Sequence, residues 1–248
     1  MKIYQLKNPK ELGKASGEQA ALLIKDAIDR KGKANLILAT GTSQFETINQ
    51  LLAEAIDWRK VTIFHLDEYI GIPMKHPASF RKYLKERFVD KVDGLETIHY
   101  INGENDPEKE CERLADLISA QDIDLAFVGI GENGHLAFND PPADFDTKKP
   151  YIVVNLDEPC RRQQMNEGWF DSFEDVPKQA ISMSIRQIMK SEHIICSVPD
   201  ERKAEAVKNC LESEVSNEHP SSILQKHPSC SIFLDEESAK MLTTALEK

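Results

Sequence analysis

Apolar residues gather along the chain in two kinds of run. Short runs that are apolar at nearly every position fall at residues 35–39, 61–66, 97–101, 125–129, 152–156, 193–198 and 231–234. Several lack alternation, which suits strands buried on both faces of a parallel sheet. Between them lie longer stretches with helical spacing of apolar positions, at residues 18–30, 44–55, 79–89, 107–119, 201–211 and 238–246. Strand and helix in alternation predict an α/β fold, a Rossmann-like wound, mostly parallel sheet with helices on both faces. The chain has 248 residues, no internal repeat and no low-complexity linker, so a single domain over 1–248 is expected.

In open parallel sheets, ligands bind beyond the carboxyl ends of the strands. Three loops leaving strands carry unusual polar content. The first reads Leu38-Ala39-Thr40-Gly41-Thr42-Ser43-Gln44. Backbone N–H groups at a helix start suit a phosphate, and Thr40, Thr42 and Ser43 add hydroxyls around Gly41. The loop is neither a P-loop nor Gly-x-Gly-x-x-Gly; a plain N-cap by Thr42 or Ser43 is its structural alternative. The second reads His65-Leu66-Asp67-Glu68-Tyr69-Ile70-Gly71. Neighbouring residues of an extended chain point to opposite sides. One carboxylate therefore faces the crevice, as a candidate general base, and the other faces solvent or a partner. The third runs Gly129-Ile130-Gly131-Glu132-Asn133-Gly134-His135-Leu136-Ala137-Phe138-Asn139-Asp140-Pro141-Pro142. Its glycines permit tight turns and close approach to a ligand. His135 stands between Asn133 and Asp140, either of which can hold its ring, and a histidine can trade protons with a sugar oxygen near neutral pH. Lys203, at a helix start after a strand, is a further candidate for phosphate, and Arg161 with Arg162 form a local cation pair.

Composition narrows the choice of partner. Hydrophobic residues make up 40% and charged residues 29%, ordinary for a soluble globular protein. A net charge of -11 argues against nucleic acid and anionic membrane, although a few local cations suffice for a small anionic substrate. No stretch approaches the ~20 apolar residues of a membrane span, and the N-terminus lacks the apolar run of a secretory signal. Cys111, Cys160, Cys196, Cys210 and Cys230 are odd in number, without Cys-x-x-Cys, which fits a reduced, cytoplasmic setting. The histidines show no His-x-His or His-Glu-x-x-His spacing, so no metal is expected.

Together these residues resemble the glucosamine-6-phosphate deaminase (isomerase) family. The resemblance rests on Leu66-Asp67-Glu68-Tyr69-Ile70-Gly71, on the Gly129 to Pro141 string and on Gln225-Lys226-His227-Pro228, in order over nearly the whole chain. The related 6-phosphogluconolactonases share the Gly-His step but usually lack Ala-Phe-Asn-acid-Pro after it. The resemblance implies conversion of glucosamine 6-phosphate and water to fructose 6-phosphate and ammonia, with no cofactor. It implies that His135 assists ring opening, that Asp67 moves a proton between C2 and C1, and that Asp140 pairs with the histidine. It further implies that Thr40, Gly41, Thr42, Ser43 and Lys203 bind phosphate.

The chain departs from the family pattern in four places. Asn133 replaces the common Asp before Gly-His; an amide orients the ring without adding charge. Asp140 stands where Glu is common. The phosphate loop reads Thr40-Gly41-Thr42-Ser43 rather than Thr-Gly-Gly-Thr. No Arg occurs near Gln164-Met165-Asn166-Glu167-Gly168-Trp169-Phe170, where the family carries a phosphate-binding Arg, so Arg161 or Arg162 is expected to substitute. The stretch Pro142-Ala143-Asp144-Phe145-Asp146 lacks the serine pair of members activated by N-acetylglucosamine 6-phosphate, and no such activation is expected. Rival readings are galactosamine 6-phosphate as substrate, a 6-phosphogluconolactonase, and a non-catalytic sugar-phosphate sensor. A homo-oligomer is compatible with the sequence.

Overall fold

Runs that are mostly apolar are poorly suited to a surface, and in the computed structural model, which describes residues 1–243, most of them form strands of one parallel sheet. The strands are β1 (Lys2–Leu6), β2 (Ala34–Leu38), β3 (Val61–His65), β4 (Asp67–Tyr69), β5 (Thr97–His99), β6 (Leu125–Val128), β7 (Tyr151–Asn155), β8 (Gln179–Met183), β9 (His193–Val198) and β10 (Cys230–Asp235). Seven of them pair in the order β1-β10-β9-β6-β2-β3-β5, with every neighbouring pair parallel. The helices are α1 (Pro9–Lys31), α2 (Phe45–Ala53), α3 (Phe80–Arg87), α4 (Pro107–Ser119), α5 (Glu158–Asn166), α6 (Ile185–Ile188), α7 (Ala204–Glu212) and α8 (Glu236–Ala239).

Successive side chains of a strand point to opposite faces, and each face has its own core. Leu36 and Leu38 of β2 pack with Leu12 and Ile24 of α1 and Ile48 and Leu51 of α2. Ile37, between them, packs with Leu114 and Ile118 of α4 and Val207 of α7. This is the predicted wound architecture. From β2 the chain continues outward to β3 and β5, and from β6 it continues to β9 and β10 on the other side. The crevice beyond the carboxyl ends of β2 and β6 is therefore where strand order reverses, the place such sheets bind ligands.

Several elements differ from expectation. The run at 152–156 forms β7, but in a second, antiparallel sheet ordered β4-β8-β7 rather than in the wound sheet. Its Ile152, Val153 and Val154 are only half-buried. The edge strand β1 and the short strands β4 and β8 carry no long apolar run and were not expected. Helix α1 begins at Pro9, not at 18: the Asn8 side chain accepts from the Glu11 N–H (2.9 Å), a good N-cap. The added turns hold Gly13, Ser16 and Gly17, where α1 and α2 nearly touch. A Cβ at Gly13 would lie 2.2 Å from Glu46 Cβ and 2.4 Å from its carbonyl carbon. Ser16 Oγ instead meets Thr47 Oγ1 at 2.8 Å. The helix expected at 238–246 appears in the described residues only as α8, and its last residues lie outside them. All five cysteines are unpaired and buried, and no helix among the described residues is long and apolar enough to cross a membrane.

Gly13→Ala should lower unfolding stability by about 1–3 kcal/mol, since the obstructing atoms include backbone. Urea denaturation measures this; an unchanged midpoint would mean that α1 and α2 are not in close contact here.

Candidate active site

The three loops converge on one cavity of about 330 Å³ at the switch between β2 and β6. After β2 the chain turns through Gly41, whose φ of 93° lies where side chains are disfavoured. It then enters a 3-10 turn, Thr42–Gln44, that leads into α2. The first N–H groups of such a helical start have no intrahelical acceptor. Thr40, Gly41, Thr42 and Ser43 all line the cavity. The loop is anchored from below: Gln44 Nε2 donates to Val128 O (3.2 Å) and Ser43 Oγ (3.1 Å), and Tyr83 OH donates to Gly41 O (2.9 Å).

Asp67 and Glu68 separate as an extended chain requires, but not into crevice and solvent. Asp67 lines the cavity, and its carboxylate accepts no hydrogen bond among the described residues. Burial, reinforced by the neighbouring Glu68 charge, pushes its carboxyl up to about 8. Glu68 is fully buried. Its oxygens accept from Tyr69 N (3.0 Å), Ser79 Oγ (2.9 Å), Phe80 N (3.1 Å) and Arg81 N (2.9 Å), with Arg81 Nε at 3.4 Å. The second carboxylate thus caps α3, and the expected solvent or partner contact is absent for a physical reason: the free N–H groups of a helix start claim it.

His135 also lines the cavity. Its ring lies against the backbone of Gly131, where a Cβ would come within 2.3 Å of Nε2 and Cε1, so that position admits only glycine. The His135 carbonyl accepts from Gly131 N (3.1 Å) and Ser221 Oγ (2.9 Å). Of the two candidates to hold the ring, Asp140 does so: its Oδ1 is 3.2 Å from Nδ1. The ring N–H is off the line to that oxygen, so the contact is chiefly electrostatic. Asn133 accepts from the His135 backbone N–H (3.1 Å) and donates through Nδ2 to Asp140 Oδ1 (3.0 Å). Burial works to raise the Asp140 carboxyl, but the His135 ring, the Asp157 N–H and the Asn133 amide together hold it below the usual range. Asn133 and Asp140 stand behind the ring and do not line the cavity.

Lys203 ends the 3-10 turn Glu201–Lys203 after β9 and is buried at the cavity wall. Its Nζ lies 3.8 Å from Glu132 Oε1 and 3.9 Å from Glu167 Oε1, too long for hydrogen bonds, and burial lowers its pKa. The expectation for Arg161 and Arg162 is overturned. Arg161 donates to Phe173 O (2.8 Å) and Val176 O (2.9 Å), Arg162 pairs with Glu158 (2.6 Å), and neither lines the cavity. Arg202 does, paired with Asp200 (2.7 Å) and Glu132 (3.4 Å). Gln163 and Gln164 of α5, and Glu167 just past its end, also line the cavity and were missed. Their one sequence signal is a polar i, i+4 pair, Gln163 and Glu167, on a helix with few apolar residues. Ligand atoms of His135, Asp140 and Cys160 lie within 4.8 Å of one another. Burial, with Asp140 and Asp157 nearby, drives the Cys160 thiol well above its usual range.

A family model described as glucosamine-6-phosphate isomerases/6-phosphogluconolactonase matches residues 7–232. The chain is 38% identical to a glucosamine-6-phosphate deaminase of Exiguobacterium sibiricum, across 89% of this chain and 86% of that one. It is 37% identical to one of Shouchella clausii, across 98% of each. The solved structure of a monomeric glucosamine-6-phosphate deaminase superposes with a TM-score of 0.87 at 33% identity, covering 98% of this chain and 100% of that one. A 6-phosphogluconolactonase of Trypanosoma brucei superposes with a TM-score of 0.80 at 18% identity, covering 98% of both, a likeness of fold alone.

Asp67 yields a pH test. Between the ordinary carboxylate value of about 4 and its own value of about 8, it is protonated when folded and ionised when unfolded. The unfolded state binds fewer protons there, so stability falls as pH rises. Asp67→Asn should therefore be more stable than the natural chain at pH 9, the gap closing as pH falls to about 4. Urea unfolding at several pH values checks this; a gap independent of pH would refute it.

Proposed function

The chain belongs to the glucosamine-6-phosphate isomerase/6-phosphogluconolactonase family, and we propose that it converts glucosamine 6-phosphate and water to fructose 6-phosphate and ammonia. The observation that carries this reading is one cavity lined by an unbonded carboxyl, Asp67, a histidine backed by a carboxylate, His135, and the Thr40–Ser43 loop with Lys203. The deaminases at 33–38% identity support the same substrate.

In this reading the phosphate lies against the N–H and hydroxyl groups of residues 40–43 and the Lys203 ammonium, with Arg202 as the arginine at that end. His135 transfers a proton at the ring oxygen as the pyranose opens. Asp67 takes the C2 proton as a proton passes from the substrate ammonium to O1, leaving an enolamine, and returns its proton to C1, so that C1 becomes an alcohol carbon and C2 an iminium carbon. Water adds to C2 and ammonia leaves, giving the ketose. Its raised pKa makes ionised Asp67 a stronger base than an ordinary carboxylate, and protonated Asp67 can still donate to C1. Lactone hydrolysis needs no C2 deprotonation and gives Asp67 no such role.

The working unit is one domain over 1–248, a cytoplasmic hydrolase in the breakdown of N-acetylglucosamine-derived sugar phosphate. The five unpaired buried thiols support the reducing compartment. The solved deaminase relative is a monomer, which supports a monomer over a homo-oligomer.

Purified protein offered glucosamine 6-phosphate should release ammonia and fructose 6-phosphate, with kcat/KM rising through about pH 8 as Asp67 ionises. Asp67→Asn should lower turnover by about 10²–10⁴. Ammonia from galactosamine 6-phosphate alone would keep the mechanism and change the substrate. Hydrolysis of 6-phosphogluconolactone without ammonia from either amino sugar would overturn the reading.

A further inference from the structure

We propose that Asp157, at the start of α5, is a positioning residue for His135, acting through Asn133 and Asp140. The inference rests on the catalytic reading of His135 given above. Asn133 is the hub. Its Nδ2 donates to Asp140 Oδ1 at 3.0 Å and reaches Asp157 Oδ2 at 3.1 Å and Oδ1 at 3.3 Å. Its Oδ1 accepts from the His135 backbone N–H at 3.1 Å. An amide has one accepting and one donating end. Two carboxylates on one side and an N–H on the other fix which way it points, and Asp157 supplies half of that donor-side demand.

Asp157 also holds Asp140 directly, because its backbone N–H donates to Asp140 Oδ2 at 2.9 Å. Asp140 is thus held at both oxygens, and Oδ1 is presented to the His135 ring. Asp157 Oδ1 accepts from Cys160 N at 2.7 Å and so caps α5, the helix whose Gln163 and Gln164 line the cavity. One residue therefore ties the loop carrying His135 to the helix that walls the substrate space. Burial and the nearby Asp140 charge raise the Asp157 carboxyl, as two acids separated by a single amide should.

The arrangement makes position 133 depend on position 157. An acid at 133 would place three carboxylates around one point with no donor side chain among them, whereas an amide at 157 would relieve that crowding. Asp157→Asn keeps the helix cap, since Asn caps as well as Asp, but turns a donor toward the Asn133 donor. Each substitution alone therefore disturbs Asp140 and the ring, and the second should partly repair the first.

The test is a double-mutant cycle on the full chain, read as kcat, KM and melting temperature with glucosamine 6-phosphate. D157N should lower kcat about tenfold with KM within about twofold, and N133D should lower it about a hundredfold. N133D with D157N should turn over about tenfold faster than N133D alone, a coupling within the usual range for contacting residues. The double variant should also melt above N133D. Losses that multiply, a double variant melting no higher than N133D, or a D157N effect confined to KM would each overturn the proposal. A natural chain that releases no ammonia would sink the catalytic reading instead, and the melting arm would still decide whether the two positions are coupled.

Discussion

The site depends on a buried carboxylate that does no chemistry. Glu68 sits in the interior and accepts from the first N–H groups of α3 and the Ser79 hydroxyl. Burying a charge without partners is prohibitive, and burying one on several donors is tolerable. The same contacts fix the strand that carries it. β4 has three residues, Asp67 to Tyr69, and once Glu68 points toward α3 its neighbour must point the other way. Asp67 consequently faces the cavity with its oxygens unclaimed, in surroundings apolar enough to push its carboxyl up to about 8. A satisfied acid holds an unsatisfied one in place.

A second polar assembly does the equivalent for the histidine. Gly131 admits the ring against bare backbone, and Asp140 approaches Nδ1 from behind. Asn133 and the Asp157 N–H keep Asp140 in place. The two assemblies come from opposite sides of the strand-order reversal, one following β3 and the other β6. The wound sheet is what brings them to one cavity.

The wound sheet was legible because its inner strands are apolar at most positions and buried on both faces. The loops were legible because Gly41, Asp67 and His135 sit directly at strand exits. What escaped reading had weak apolar signals. The first turns of α1 pack through Gly13, Ser16 and Gly17, where close approach of backbones replaces side-chain burial. Helix α5 turns polar residues, Gln163 and Gln164, toward a cavity rather than a core. Arg161 and Arg162 looked suitable because they lie near the missing arginine in sequence, but a helix turns them toward Phe173 and Glu158. Arg202 reaches the cavity from a different strand exit. Glu68 was misplaced because its partners, Ser79 to Arg81, lie far along the chain and only the folded helix start creates them.

Under the proposed function, an acidic protein must receive a phosphate at the Lys203 end of the cavity. With a net charge of -11, long-range attraction is unfavourable, so recognition must be local. Lys203 is buried with Glu132 and Glu167 near 4 Å, and Arg202 leans on Asp200 and Glu132. A lone buried ammonium would be costly, and these carboxylates keep it tolerable. Their contacts with Lys203 are too long to be hydrogen bonds, leaving the donors of Lys203 for a ligand that approaches more closely. A phosphate would exchange loose ion pairs for short charge-assisted bonds while adding the N–H groups of residues 40–43. The gain comes from better geometry, not added cations, which explains how the site can do without an arginine on α5 directed into it.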